Sequence, residues 1–163
     1  MARDNIWTNA DGLVVGFGTR TVTTSSGATP STRGAYKEVV LTLKGTDLGD
    51  TVAATDDAIV HGVEIPADAL LLSADLFVTT AFTSGGSAVL DIGVYQADGT
   101  IVDDDGIDAA IAVATLTDNA VVACNGADIG TVTATAVKIG ASYDTAAFTA
   151  GEAKLVVRYV PKG

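Results

Sequence analysis

Three consecutive aspartates, Asp103, Asp104 and Asp105, stand before Gly106 in the run IVDDDGIDAAI, and Asp108 follows two positions after the glycine. Clustered carboxylates can hold a hard cation, share protons in acid–base work, or start a helix. An EF-hand loop needs D-x-[DN]-x-[DN]-G and a bidentate glutamate six residues after the glycine. With Gly106 in the glycine position, Asp103 and Asp105 match, but Ile101 stands at the first ligand and Ala112 at the glutamate. A non-standard calcium site from Asp103, Asp104 and Asp108 is the metal arrangement left open. Acid–base work needs neighbours that raise one carboxyl pKa and hold the other low, and the adjacent sequence supplies none. The preferred reading is a helix start. Asp105 can accept backbone N–H bonds as N-cap, Asp108 can reach back, and both charges suit a helix N-terminus. Ile107, Ile111 and Ala114 then share one side of a short helix near 106–114.

His61 is the sole histidine and Cys124 the sole cysteine. A nucleophile–base pair would need the fold to bring them together. Neither sits in a recognisable local signature, so they read as a strand histidine and a small buried hydrophobe. One cysteine also precludes an intrachain disulfide, as suits synthesis in the cytosol. GFG at 16–18 is too short for a dinucleotide loop, and Thr-rich sequence follows it. Trp7 with Tyr36, Tyr95, Tyr143 and Tyr159 could stack a sugar. Such even spacing fits core or interface better. No catalytic residue and no cofactor are expected, and the chain does not read as an enzyme.

The elements around these residues have period two. Val39, Leu41 and Leu43 alternate with polar residues, as do Leu90, Ile92 and Val94, and Leu155, Val157 and Tyr159. Leu70, Leu72, Ala74, Leu76 and Val78 are expected to share a face, with Phe77 opposite. This is the pattern of strands buried on one side. SGG at 84–86 reads as a hairpin turn, and Asp98-Gly99 marks another turn. Weaker strands are expected near 13–18, 58–65, 120–124, 134–139 and 147–149. The fold class is therefore all-β: an antiparallel β-sandwich, jelly-roll-like, with about eight strands and the one short helix.

Hydrophobic residues make up 48% of the 163, yet aromatics only 6%, so the apolar mass is mostly small and β-branched. The net charge of −11 repels phosphate backbones, and nucleic acid is not expected as a partner. MARDNIWTNADG does not read as a signal peptide, and the apolar stretch 67–82 is too short and polar to span a membrane. Residues 1–37 carry Arg3, Arg20, Arg33 and Lys37 against Asp4 and Asp11, so the remainder holds five bases and eighteen acids. The segment TRTVTTSSGATPSTRG has little to bury. The expected organisation is an extended N-terminal arm, 1–37, on a β-sandwich domain, 38–163.

The run GVEIPADALLLSADLFVTTAFTSGGSAVLDIGVYQADGTIVDDDGIDAAIAVATL, with TAGEAKLVVRYVPKG, resembles virion structural proteins of tailed bacteriophages. The shared features are the IPA entry to a strand, the TAF–GG–A-L-IG segment, and DG–IDA–IA. The resemblance implies a capsid decoration, or cement, protein: a virion component assembled in the host cytoplasm. It would bind the major capsid protein from outside the head, as a homo-oligomer, with a trimer favoured. The residues then expected at contacts are Arg3, Trp7, Arg20, Arg33 and Tyr36 of the arm, and Phe77, Val156 and Val160 opposite the core-facing sets.

Overall fold

The computed structural model describes residues 6–8, 14–16, 36–50 and 59–162; at 6–8, 14–16, 49–50 and 59–63 it describes the backbone alone. The chain divides into two compact units, Met1–Ala35 and Tyr36–Gly163. In the first, β1 (Ile6–Thr8) pairs antiparallel with β2 (Val14–Gly16), with Trp7 opposite Val15. Arg3, Arg20 and Arg33 lie outside the described residues.

The second unit holds β3 (Lys37–Lys44), β4 (Gly49–Asp50), β5 (Ile59–Ile65), β6 (Leu70–Ser84), β7 (Val89–Tyr95), β8 (Ile101–Ala112), β9 (Val121–Cys124), β10 (Val137–Asp144) and β11 (Phe148–Val160). Antiparallel pairing joins β7 to β8, β6 to β9, β5 to β10 and β3 to β11. These are the nested pairs of one long hairpin whose tip is the β7–β8 turn. Rolling that hairpin adds the pairs β6–β11 and β7–β10 and splits it into two sheets. One sheet has the order β3-β11-β6-β9. The other runs β10-β7-β8, with β5 and the two-residue β4 both on the outer edge of β10. This is a jelly roll, and among the described residues β4, parallel to β10, departs from antiparallel pairing. Among the described residues no helix is long and apolar enough to cross a membrane.

The alternating residues build the core. Val39, Leu41 and Leu43 of β3, Leu76 and Val78 of β6, and Leu155 and Val157 of β11 face Leu90, Ile92 and Val94 of β7 and Ile139 of β10. Leu76, Leu90, Ile92, Ile139 and Leu155 are fully buried. Each such side chain stabilises by roughly 1.5–3 kcal/mol relative to exposure. At one end Phe82 meets Phe148 edge-on, with ring centroids 5.2 Å apart.

Three expectations are corrected. Residues 106–114 are not helical: Ile101–Ala112 is strand β8, and a single 3-10 turn, Val113–Thr115, follows. Ile107 and Ile111 do face inward, since a spacing of four satisfies both a helix face and a strand face. A short isolated helix is marginal, and the ladder to β7 plus two buried isoleucines outweigh the helix preference of the alanines. SGG at 84–86 is not a hairpin turn either, because β6 and β7 lie in different sheets and the chain crosses between them there. Two strong strands and a short glycine turn look alike whether the second strand pairs with the first or packs across the core. Third, Leu71 rather than Leu72 is buried, and Leu72 is exposed. The β6–β11 register shifts at Arg158/Tyr159, and the extra residue turns the side chains over.

Candidate functional site

Two surfaces hold the residues that could act. The first is the outer face of the β3-β11-β6-β9 sheet. Residues alternate across a strand, so those opposite the core set form cross-strand rows. Val121, Phe77, Lys154 and Thr42 make one row over all four strands, and Ala123, Asp75, Val156 and Val40 the next. Val121 is 65% exposed, Val40 54% and Phe77 40%, while Val156 is half-buried between neighbours. The third row is charged. Arg158 of β11 bridges Glu38 of β3 at 3.0 Å and Asp75 of β6 at 3.1 Å. These carboxylates hold its guanidinium above its usual pKa, Glu38 first. Lys154 also donates to Thr42 Oγ1 at 3.2 Å. The face therefore carries two small apolar patches, Val121 with Phe77 and Val156 with Val40, with Asp75 and Lys154 between them, a mixed composition that suits a contact surface. Val160, opposite Leu70, is half-buried at its far end, and exposed Tyr36 precedes β3.

Sequence reasoning missed Val40 and Val121. The signal was present: each sits beside a second valine in an apolar run, so one of each pair had to face outward.

The second surface is the bulged edge strand β8. Its twelve residues run beside only seven of β7, and the register slips three times. The surplus folds over the outer face of β7. The carbonyls of Asp103 and Asp104 occupy the space a side chain at Gly93 would take. Asp91 and Tyr95, on the same outer face, are consequently buried, although alternation alone would put them in water. Asp91 accepts a bond from Ala110 N at 2.7 Å; burial nevertheless raises its pKa, and Asp104, Asp144 and Asp105 add to the rise. Carboxylate oxygens of Asp103, Asp104 and Asp105 lie within 4.8 Å of one another.

Asp108 does not join them. It is buried, accepts from Ala109 N at 3.0 Å and faces the Cys124 thiol of the other sheet. Asp103, Asp104 and Asp108 are therefore not brought together; the close group is Asp103, Asp104 and Asp105.

His61 is in β5 and Cys124 in β9, on different sheets. Burial first, then Asp108, pushes the Cys124 thiol up to about 12. At about pH 8 such a group is thiolate to roughly one part in ten thousand. Iodoacetamide is thus expected to leave native Cys124 unmodified and to label it quickly in denaturant. Rapid labelling of the folded protein would show that the thiol is available for nucleophilic work. Tyr95 and Tyr159 are buried and Tyr143 half-buried, so they form no exposed sugar platform.

No family model matches the chain, and no curated protein does. Among solved structures, a chain of the cyanophage Pam1 capsid asymmetric unit is similar over 86% of this chain and 98% of its own length, with a TM-score of 0.52 and 20% identity. A chain of the Ralstonia phage GP4 capsid is similar over 78% of this chain and 84% of its own, with a TM-score of 0.49 and 19% identity. At such identities the likeness is one of fold: this chain and the Pam1 capsid chain are built on the same rolled β-sandwich.

Proposed function

We propose that the chain is a structural component of a tailed-phage head, a decoration or cement protein that binds the outside of the capsid lattice and stabilises it. The observation that carries the reading is the jelly roll shared with a capsid chain of Pam1 over nearly that chain's whole length. A fold alone does not assign a function; the surfaces must agree with it. They do so by offering exposed apolar patches, Val121 with Phe77 and Val156 with Val40, interleaved with charges on one sheet face. In this role the protein is not an enzyme and needs no cofactor. The outer sheet face, with Phe77, Val156 and Val160, packs against the major capsid protein or a second copy, and a trimer is the favoured assembly. The less acidic residues 1–37, with Arg3, Trp7, Arg20, Arg33 and Tyr36, reach the acidic surface of a neighbour. The protein joins the particle in the host cytoplasm, makes no use of nucleic acid or membrane, and is retained by many modest contacts acting together.

Gold labelling of intact particles tests this directly. Label is expected over the whole head shell. Label confined to one vertex or to the tail would make the chain a head–tail, tail or fibre component instead.

A further inference from the structure

We propose that the outer edge of β3 is a docking site for the β3 of a second copy of this chain, the two strands pairing antiparallel about a twofold axis through Leu41. This contact does not depend on the capsid role.

The first observation is the state of the sheet edges. An edge strand offers unpaired N–H and C=O groups to any extended partner, and proteins blunt such edges with bulges, charges or short strands. Most of the edges here are blunted. β8 slips register three times against β7, β5 shifts against β10 between Lys138 and Gly140, β4 has two residues and β9 four. β3 is different. Its eight residues keep one register along β11, from Lys37 opposite Tyr159 to Lys44 opposite Glu152, with neither bulge nor proline. Among the described residues β11 is the strand that pairs with it, so its other edge is a straight template for strand addition. Val39, Leu41 and Leu43 are buried, whereas Glu38, Val40, Thr42 and Lys44 are exposed.

The second observation is charge complementarity, and it names the occupant. Directly opposite residues of an antiparallel pair share a face, so a twofold axis that keeps buried residues opposite buried ones passes through a residue. With the axis through Leu41, Glu38 stands opposite Lys44 of the second copy, and Lys44 opposite its Glu38. Val40 then meets Thr42 on the outer face, while Leu41 meets its own copy and Val39 meets Leu43 on the core face. An axis through Val40 would set Glu38 against Thr42 and Lys44 against Tyr36, and one through Thr42 would set Lys44 against Val40, so neither pairs opposite charges. Arg158 Nε holds Glu38 by Oε2 at 3.0 Å, which fixes that side chain and leaves Oε1 for a second cation. Lys44 forms no ion pair among the described residues. The contact is isologous, so it closes at two copies and joins their two four-stranded sheets into one. It leaves the outer sheet face clear, so a trimer built on that face would be linked here to the next.

Sedimentation equilibrium of the full chain tests the pairing, and the mass is expected to double as concentration rises. Lys44→Glu and Glu38→Lys each set like charges opposite one another at both ends of the seam. Either alone is expected to weaken the doubling by about tenfold or more. An equimolar mixture of the two again sets opposite charges at both ends, so the doubling is expected to return; a contact elsewhere on the chain would not respond in this way. Glu38→Lys also gives up the bridge to Arg158, so a second measurement avoids it. Val40→Cys mixed with Thr42→Cys is expected to give far more disulfide-linked pairs under mild oxidant than either variant alone. Four results would overturn the contact: one mass at every concentration, doubling retained in both charge variants, an equimolar mixture of folded variants that stays apart, or cysteine variants that cross-link no better mixed than alone.

Discussion

Gly93→Ala is expected to destabilise the fold by about 3 kcal/mol, at the upper end of ordinary overpacking effects. Glycine-to-alanine changes in strands usually help, because they restrict the unfolded chain. Here the sign reverses because of what lies outside the strand. A methyl at Gly93 would fall on the backbone carbonyls of Asp103 and Asp104. A side chain could rotate away, but a carbonyl in the bulge of β8 moves only if the bulge itself lifts. Lifting it would uncover Tyr95 and Asp91 and strip Ala110 N–H of its bond to Asp91. Gly85 is the matched control, with open space around it and no left-handed backbone, so Gly85→Ala is expected to be neutral or slightly stabilising. Urea denaturation of the two variants measures the contrast. Equal midpoints would mean that β8 does not lie over β7 as described.

The same bulge marks the boundary of what could be read from the chain. β3 and β11 were legible because Val39-Leu41-Leu43 and Leu155-Val157-Tyr159 can sit in only one phase, and β7 because Leu90, Ile92 and Val94 alternate into the same core. The turn at Asp98-Gly99 was legible through local chemistry. Gly99 takes φ +92, Gly99 N–H bonds the Gln96 carbonyl at 3.0 Å, and Gln96 N–H bonds the Thr100 carbonyl at 2.8 Å. What stayed hidden were relations between strands. Nothing in SGG at 84–86 says whether β7 pairs with β6 or crosses to the other sheet. Nothing in Asp91-Gly93-Tyr95 says that five surplus residues of a later strand will cover them. The helix expected at 106–114 failed for the same reason, since its alanines and aspartates are good helix signals until a partner strand competes for the backbone. The convergence of Asp103, Asp104 and Asp105 likewise arises from a register slip against β7, which is a property of the pair.

Removing residues 1–35 is expected to leave a folded body that no longer stays on phage heads, with retention falling by about a hundredfold or more. The first half of this expectation rests on the core. Its described members run from Val39 to Tyr159, and Tyr36–Gly163 is a compact unit of its own. The second half rests on charge. The body is strongly acidic, while Arg3, Arg20 and Arg33 outnumber Asp4 and Asp11 in the segment removed. Two acidic surfaces repel, so a neighbour as acidic as this body, a second copy included, is held through a basic segment that steers it, and the effect weakens as salt rises. Phe77→Asp separates this contribution from that of the sheet face. It adds charge to the exposed row beside Val121 and Lys154 without touching the core. Cosedimentation of full chain, truncated chain and Phe77→Asp with stripped heads, at low and high salt, reads all three at once. Loss in the truncated chain that salt reproduces in the full chain assigns the grip to the basic segment. Loss in Phe77→Asp alone would assign it to the sandwich face, and a truncated chain that binds as well as the whole would remove the arm from the account.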